Sequence, residues 1–232
     1  MLIIGHRGAA GLARENTLDA MRAGYEADAD MLEFDIRLTK DDILIVNHDF
    51  HTWRTHHSAS IISRHTLKEL QERVGAETIV TFEEVLDEFF GKILLNIEIK
   101  GFGTGKAAIA FLKKHFVKKK SDWDNVLFSS FLGSELTAIR KASPEANLAL
   151  LHHENPFIFI GYHRRLQLSA VGFHRLYINK LAFEIAKRAK LFTYAYTVNR
   201  APTAALLAEQ GLDAIVTDNP LKMQAELRRY QQ

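Results

Sequence analysis

Eight short apolar runs alternate with helical patterns from one end of the chain to the other, and few architectures can absorb that many. The runs fall at residues 2–5, 31–38, 93–99, 126–129, 148–151, 170–173, 192–198 and 214–217. Helical periodicity fills most of the gaps, at 17–27, 66–73, 82–90, 106–119, 134–142, 180–190 and 202–210. Asn16-Thr17, Thr81 with Glu84, and Asn219-Pro220 have the chemistry of helix starts. Eight strands in strand–helix alternation predict a (β/α)8 (TIM) barrel. A doubly wound open sheet is the alternative, but its Gly-rich dinucleotide turn is missing. The 232 residues suit a single domain spanning 1–232, and 47% apolar residues are enough for a sizeable core.

One run breaks the alternation. Residues 43–47 follow 31–38 after only four residues, too few for a parallel crossover, so the pair is expected to be an antiparallel hairpin. A turn centred at Lys40-Asp41 would set Glu33 opposite His48 and return His48 to the end where Glu33 sits. The polar stretch 49–65 then reads as a small excursion over the barrel mouth.

Barrel active sites lie at the C-terminal ends of the strands. His6-Arg7-Gly8, Glu33-Phe34-Asp35, Asn47-His48-Asp49 and Glu98-Ile99-Lys100 all fall there. Glu33 and Asp35, at i and i+2 on one strand, face the same side, and Glu98 and Lys100 repeat the spacing. Converging carboxylates repel, and a divalent cation relieves this. An all-oxygen ligand set favours Mg²⁺ or Ca²⁺ over zinc. The alternative is a buried ion network with Arg7, Arg37 and Lys100. His6 and His48, titrating near neutrality, are the candidate general acid and base. Arg7 offers a planar fork to a phosphate, or a salt bridge. Gly8-Ala9-Ala10-Gly11 is small enough to bring backbone N–H groups to an anion.

Together these residues resemble the glycerophosphodiester phosphodiesterases of the bacterial cytosolic type. The resemblance runs through His6-Arg7-Gly8, Glu15-Asn16-Thr17, Glu33-Phe34-Asp35-Ile36, His48-Asp49, Glu98-Ile99-Lys100, Ser129-Ser130-Phe131, Thr197-Val198-Asn199 and Thr217-Asp218-Asn219-Pro220, in that order. It implies a barrel with a small insertion after the second strand, here about 40–79. It implies that Glu33, Asp35 and Glu98 hold one Mg²⁺ or Ca²⁺ ion and that His6 and His48 are the acid–base pair. Arg7 and Lys100 would bind phosphate, Glu15 and Asn16 would shape the first loop, and Phe131 and Tyr196 would line the glycerol side. The implied reaction converts a glycerophosphodiester to sn-glycerol 3-phosphate and an alcohol. The chain departs from the family pattern at Arg14 and Val80 (usually proline), Asp42 (often glycine) and Tyr196 (usually tryptophan). Tyr196 is expected to add a hydroxyl to the pocket wall, and Arg14 a charge near its mouth.

Other functions are less well served. Lysophospholipase D-like or sphingomyelinase D-like action on lipids would want an apolar rim around the mouth. The insertion has no long apolar stretch beyond Ile61-Ile62, which favours water-soluble diesters. A non-catalytic phosphate-binding barrel has no need of two proton-transfer groups. A net charge of +2 does not point to nucleic acid, and no cysteine is present for disulfides or thiolate metal sites. No apolar run is long enough for a membrane span or a signal segment, so a cytoplasmic protein without stable membrane anchoring, monomeric or homodimeric, is expected. The tract from His51 to His57 lacks zinc spacing and reads as a polar lid. His115, among lysines at a helix C-terminus, reads as a solvated face. His174 is a candidate pocket residue, and His152-His153 could be an ordinary loop.

Overall fold

The computed structural model describes residues 1–75 and 78–230. Its strands are β1 Leu2–Gly5, β2 Met31–Leu38, β3 Leu44–Val46, β4 Leu94–Ile99, β5 Val126–Ser130, β6 Asn147–His152, β7 Ala170–His174, β8 Phe192–Tyr196 and β9 Ala214–Thr217. All except β3 are parallel, and each pairs with the next. β1 closes the ring by pairing with β9 on one side and β2 on the other. The expected (β/α)8 barrel is therefore present.

Strand parity divides the side chains. On β2, Leu32, Phe34 and Ile36 join the core between sheet and helices, while Met31 joins a smaller apolar cluster with Ile4, Leu127, Leu151, Tyr194 and Val216. Glu33 and Asp35 share the parity of Met31 and lie further toward the strand's C-terminal end. The outer helices are α1 Leu18–Glu26, α4 Phe82–Phe89, α5 Thr104–His115, α6 Gly133–Ala142, α7 Phe159–Leu166, α8 Lys180–Arg188, α9 Ala201–Glu209 and α10 Pro220–Leu227. The expected caps form: Thr17 accepts from Ala20 N, Thr81 and Glu84 make a capping box, and Asn219 accepts from Lys222 N. The sequence reading missed α7, which starts without a side-chain cap and is anchored by buried Phe159 and Leu166. Tertiary packing stabilises it where local signals do not.

β3 is antiparallel to β2, as expected, but its register is shifted by one residue. Ile36 pairs with Val46, Arg37 with Ile45 and Leu38 with Leu44. The turn centres on Asp41, so Glu33 does not lie opposite His48. The cause is a three-residue loop, Lys40-Asp41-Asp42, in which Asp42 N donates to Thr39 O and Asp42 adopts φ 60°. Aspartate tolerates this left-handed conformation better than most side chains. Beyond β3 come α2 Trp53–His56 and α3 Leu67–Val74, with a separate small core of Ile45, Ile62, Leu70 and Ile79. Ala76 and Glu77, inside the span 40–79, lie outside the described residues.

Candidate active site

Glu33 and Asp35 on β2 meet Glu98 on β4, where Asp35 and Glu98 are register partners. All three are buried, and one oxygen from each lies within 4.8 Å of the others. Lys100 Nζ is 3.3 Å from Asp35 Oδ1 and 2.5 Å from Glu98 Oε1. Lys100 is thus the ion-pair partner of both, while Glu33 Oε1 is buried with no hydrogen-bond partner. Burial, with the neighbouring Asp35 charge, pushes Glu33 up to about 7. Burial also pushes Glu98 up to about 8, against the pull of Lys100. Burial would raise Asp35 too, but Lys100 and Arg7 outweigh it and hold this carboxyl well below the usual range. Three carboxylates thus face two cations, Arg7 and Lys100. A buried oxygen with no hydrogen-bond partner and an excess of negative charge suit a hard divalent cation. With such an ion the cluster becomes net positive by one, the complement of a phosphodiester monoanion.

Two histidines flank this cluster, each tied to a carboxylate through Nδ1. His6, just past β1, has Nδ1 2.5 Å from Asp218 Oδ1 at the end of β9. Asn199 steadies Asp218, donating from Nδ2 to its Oδ2 and accepting from its backbone N–H. His48 has Nδ1 2.7 Å from Asp49 Oδ1, and Arg54 holds the other oxygen of Asp49. Both imidazoles therefore leave Nε2 for chemistry. Their environments push them apart. Burial would lower His6, but the Asp218 hydrogen bond and the Glu33 charge prevail and raise it. Burial prevails at His48 and lowers it, despite the Asp35 charge.

Arg7 and Lys100 pair with the acids as in the alternative ion network, but Arg37 does not join it. Its Nε and Nη2 donate to His48 O at 2.8 and 2.6 Å, and its Nη1 donates to Lys100 O at 2.9 Å. One guanidinium fork thus sets the hairpin return that carries His48 against the strand end that carries Lys100. This clamp also explains how His48 reaches the site although the register places it off Glu33.

The loop after β1 is held from several directions. Arg7 N donates to Glu33 Oε2, and Arg7 Nη1 donates to Glu15, which also accepts from Arg54. Asn16 donates from Nδ2 to Asp35 Oδ2 and accepts from Asp35 N. Gly8 sits at φ 86°, and a Cβ there would lie 2.5 Å from the Ala20 carbonyl carbon, so only glycine fits. Three amides of Gly8-Ala9-Ala10-Gly11 are used within the fold. Gly8 N, Ala10 N and Gly11 N donate to the carbonyls of Glu33, His6 and Asp218. Their hydrogen-bonding capacity builds the loop, which leaves phosphate recognition to side chains.

Phe131 and Tyr196 stand side by side, ring centroids 5.8 Å apart and nearly perpendicular, with Lys100 Nζ 5.5 Å from the Phe131 centroid. The Tyr196 hydroxyl does not face the pocket as a free donor, because it bonds His152 O at 2.5 Å. His153 stacks on Phe131 at 4.1 Å, and His174 meets Tyr196 edge-on and Tyr177 at a tilt. His152 is buried with both ring nitrogens unpartnered, and burial pushes it down to about 4, so it behaves as an apolar wall. In the tract 51–57, Arg54 bridges Asp49 and Glu15, Arg14 reaches Thr55 O, and His56 contacts Thr78 O. Among the described residues the sole candidate metal group is Glu33, Asp35 and Glu98. The sequence reading assigned no role to Asp218 and Asn199, although both lie in motifs it quoted. It missed the Arg37 clamp altogether, because a backbone-directed arginine has no sequence signature.

Comparison with known proteins places the chain in a family. Residues 6–222 match the model of the glycerophosphoryl diester phosphodiesterase family. The chain is 33% identical to the Bacillus subtilis protein YhdW over 236 residues, covering 95% of each. It is 29% identical to a glycerophosphodiester phosphodiesterase of Caldanaerobacter subterraneus over 234 residues, covering 94% of each. Among solved structures, an Oleispira antarctica phosphodiesterase in complex with the product sn-glycerol-3-phosphate superposes with a TM-score of 0.86 at 27% identity, covering 98% of this chain and 97% of that one. The family match begins directly after β1 and takes in β2 to β9, both histidines and the three carboxylates: the chain belongs to the glycerophosphoryl diester phosphodiesterase family.

Proposed function

We propose that this protein hydrolyses glycerophosphodiesters to sn-glycerol 3-phosphate and an alcohol, with His6 as proton donor and His48 as proton acceptor. The observation that carries the reading is the pair of imidazoles, each tied through Nδ1 to a carboxylate, beside one buried carboxylate cluster, and their environments shift His6 up and His48 down. Environments that push two titrating groups apart assign the acid and the base. His48, favoured neutral, takes the proton of the attacking oxygen. That oxygen forms the new P–O bond as the P–O bond to the alcohol breaks. His6, favoured protonated, gives its proton to the departing alkoxide. Arg7 and Lys100 neutralise the phosphoryl oxygens, and the Phe131–Tyr196 wall orients the glycerol. Glu33, Asp35 and Glu98 would hold one Mg²⁺ or Ca²⁺ ion, which supplies Lewis-acid polarisation when bound.

The test is release of glycerol 3-phosphate from glycerophosphocholine and glycerophosphoethanolamine with Mg²⁺, with Ca²⁺ and with EDTA. His6→Ala and His48→Ala are expected to fold normally and to lose about 10²–10⁴-fold in rate. Near-wild-type turnover in either variant removes that histidine from the chemistry.

A further inference from the structure

We propose that the mouth of the barrel is a docking surface for an anionic lipid–water interface. The two most exposed large apolar side chains among the described residues are Phe102, 79% exposed, and Leu176, 71% exposed. Phe102 follows β4 and Leu176 follows β7, so both stand on the face that holds the active site. Phe50, Trp53, Ile158 and Tyr177 are also exposed, on the segments after β3, β6 and β7. They come as one or two residues per segment, which is why the chain shows no long apolar stretch. Closure of the barrel assembles them into a rim. Aromatic residues with Leu and Ile on a polar ground are what a surface needs to enter the headgroup region.

Charge on this face supports the same occupant. In the segments that follow the strands, and leaving out Arg54, which Asp49 and Glu15 neutralise, the exposed charged residues are Arg14, Lys40, Arg64, Arg175 and Arg200 against Asp41, Asp42 and Glu154. The whole chain is nearly balanced, with 30 basic and 28 acidic residues, so the basic lean belongs to this face. Basic residues among exposed aromatics complement anionic headgroups. Steering of a small anionic substrate would explain the cations alone, but gives no reason for Phe102 and Leu176 to face water.

A row of rings joins this rim to the site. His153 stacks on Phe131, Phe131 meets Tyr196, Tyr196 meets His174, and His174 meets Tyr177, next to Leu176. Lys100 stands at the inner end, over Phe131. Such a row suits an acyl chain on the glycerol of a monoacyl glycerophosphodiester. This substrate class rests on the chemistry proposed above, whereas the docking does not.

The experiment is flotation of the wild type with vesicles of equal parts phosphatidylcholine and phosphatidylglycerol, compared with pure phosphatidylcholine. The double variant Phe102→Ser/Leu176→Ser, altered at two exposed positions, is run beside it, with thermal melting as a check on folding. The wild type is expected to bind the anionic vesicles about tenfold better than neutral ones, and the variant to lose roughly tenfold. Wild type and variant should turn over glycerophosphocholine alike, while the variant loses rate on vesicle-borne lysophosphatidylglycerol. A wild type that stays off anionic vesicles, or a variant that binds like the wild type, overturns the docking. Vesicle binding without turnover of any diester overturns the site chemistry and leaves the docking standing. Turnover of glycerophosphocholine but not of the lysolipid overturns the acyl-chain assignment.

Discussion

Asp218→Asn isolates the group that keeps His6 charged. The carboxylate lies 2.5 Å from His6 Nδ1, and its side chain is 34% exposed. His6 titrates above its ordinary value because the hydrogen bond to Asp218 and the charge of Glu33 outweigh burial, the largest single influence. A proton donor works only while protonated, so activity falls as pH rises through the folded value. The amide keeps the shape but removes the charge, burial gains the upper hand, and the alkaline limb moves to lower pH. A charge-assisted hydrogen bond is worth about 1.5–3 kcal/mol, and the partial exposure of Asp218 argues for the lower end. About 1.4 kcal/mol is a factor of ten, so kcat/KM at neutral pH should fall roughly tenfold and recover part of the loss in acid. The assay is a pH profile of kcat/KM on glycerophosphocholine for both proteins. An unchanged alkaline limb, whatever the size of the rate loss, would refute the assignment of His6 as the donor held by Asp218.

Three further outcomes follow from the same geometry. Arg37→Lys keeps the charge but cannot span both His48 O and Lys100 O, so kcat should fall by about 10² from misplacement while KM changes little; a KM effect alone would contradict the clamp. Metal-free protein should lose stability as pH rises from near 4.5 through about 8. Glu33 and Glu98 are raised to about 7 and about 8, so the folded state holds protons that the unfolded chain has released. Ca²⁺ or Mg²⁺ should reverse the trend in thermal melts across pH, and melts insensitive to both ions at every pH would argue against a metal at these carboxylates. Tyr196→Phe removes only a hydroxyl bonded to His152 O, so it should cost about 0.5–1.5 kcal/mol of stability and leave kcat nearly intact; a large kcat loss would give the hydroxyl a role at the substrate.

How much of this was legible in the chain depends on the range of the interaction concerned. Glu33 and Asp35 share a face because strand parity is local, and Glu98 with Lys100 repeats the same rule. The caps at Thr17, Thr81 and Asn219 are equally local. The hairpin shows where local reading stops. Its existence follows from a short connection, but its register turned on a single left-handed residue, Asp42, and one residue of slip changes every partner. α7 was missed because its stability comes from Phe159 and Leu166 against the barrel rather than from its own ends. At Gly8–Gly11 three of the small-residue amides serve the fold instead of an anion, two of them bound to carbonyls far away in sequence, Glu33 and Asp218.

The amino-acid sequence by itself determined the alternation of strands and helices, the faces its side chains take, and the groups at the strand ends. These depend on period and on chemical type, which neighbouring residues carry. The tertiary structure alone decided which groups became partners: Asp218 with His6 across the closure of β1 and β9, Arg37 with the backbones of His48 and Lys100, and Tyr196 with His152. It also decided that apolar residues far apart along the chain, Phe50, Phe102 and Leu176 among them, are left facing water. Ring closure brings distant loops to one end of the barrel, and contacts of that range leave no periodic mark in the residues that make them.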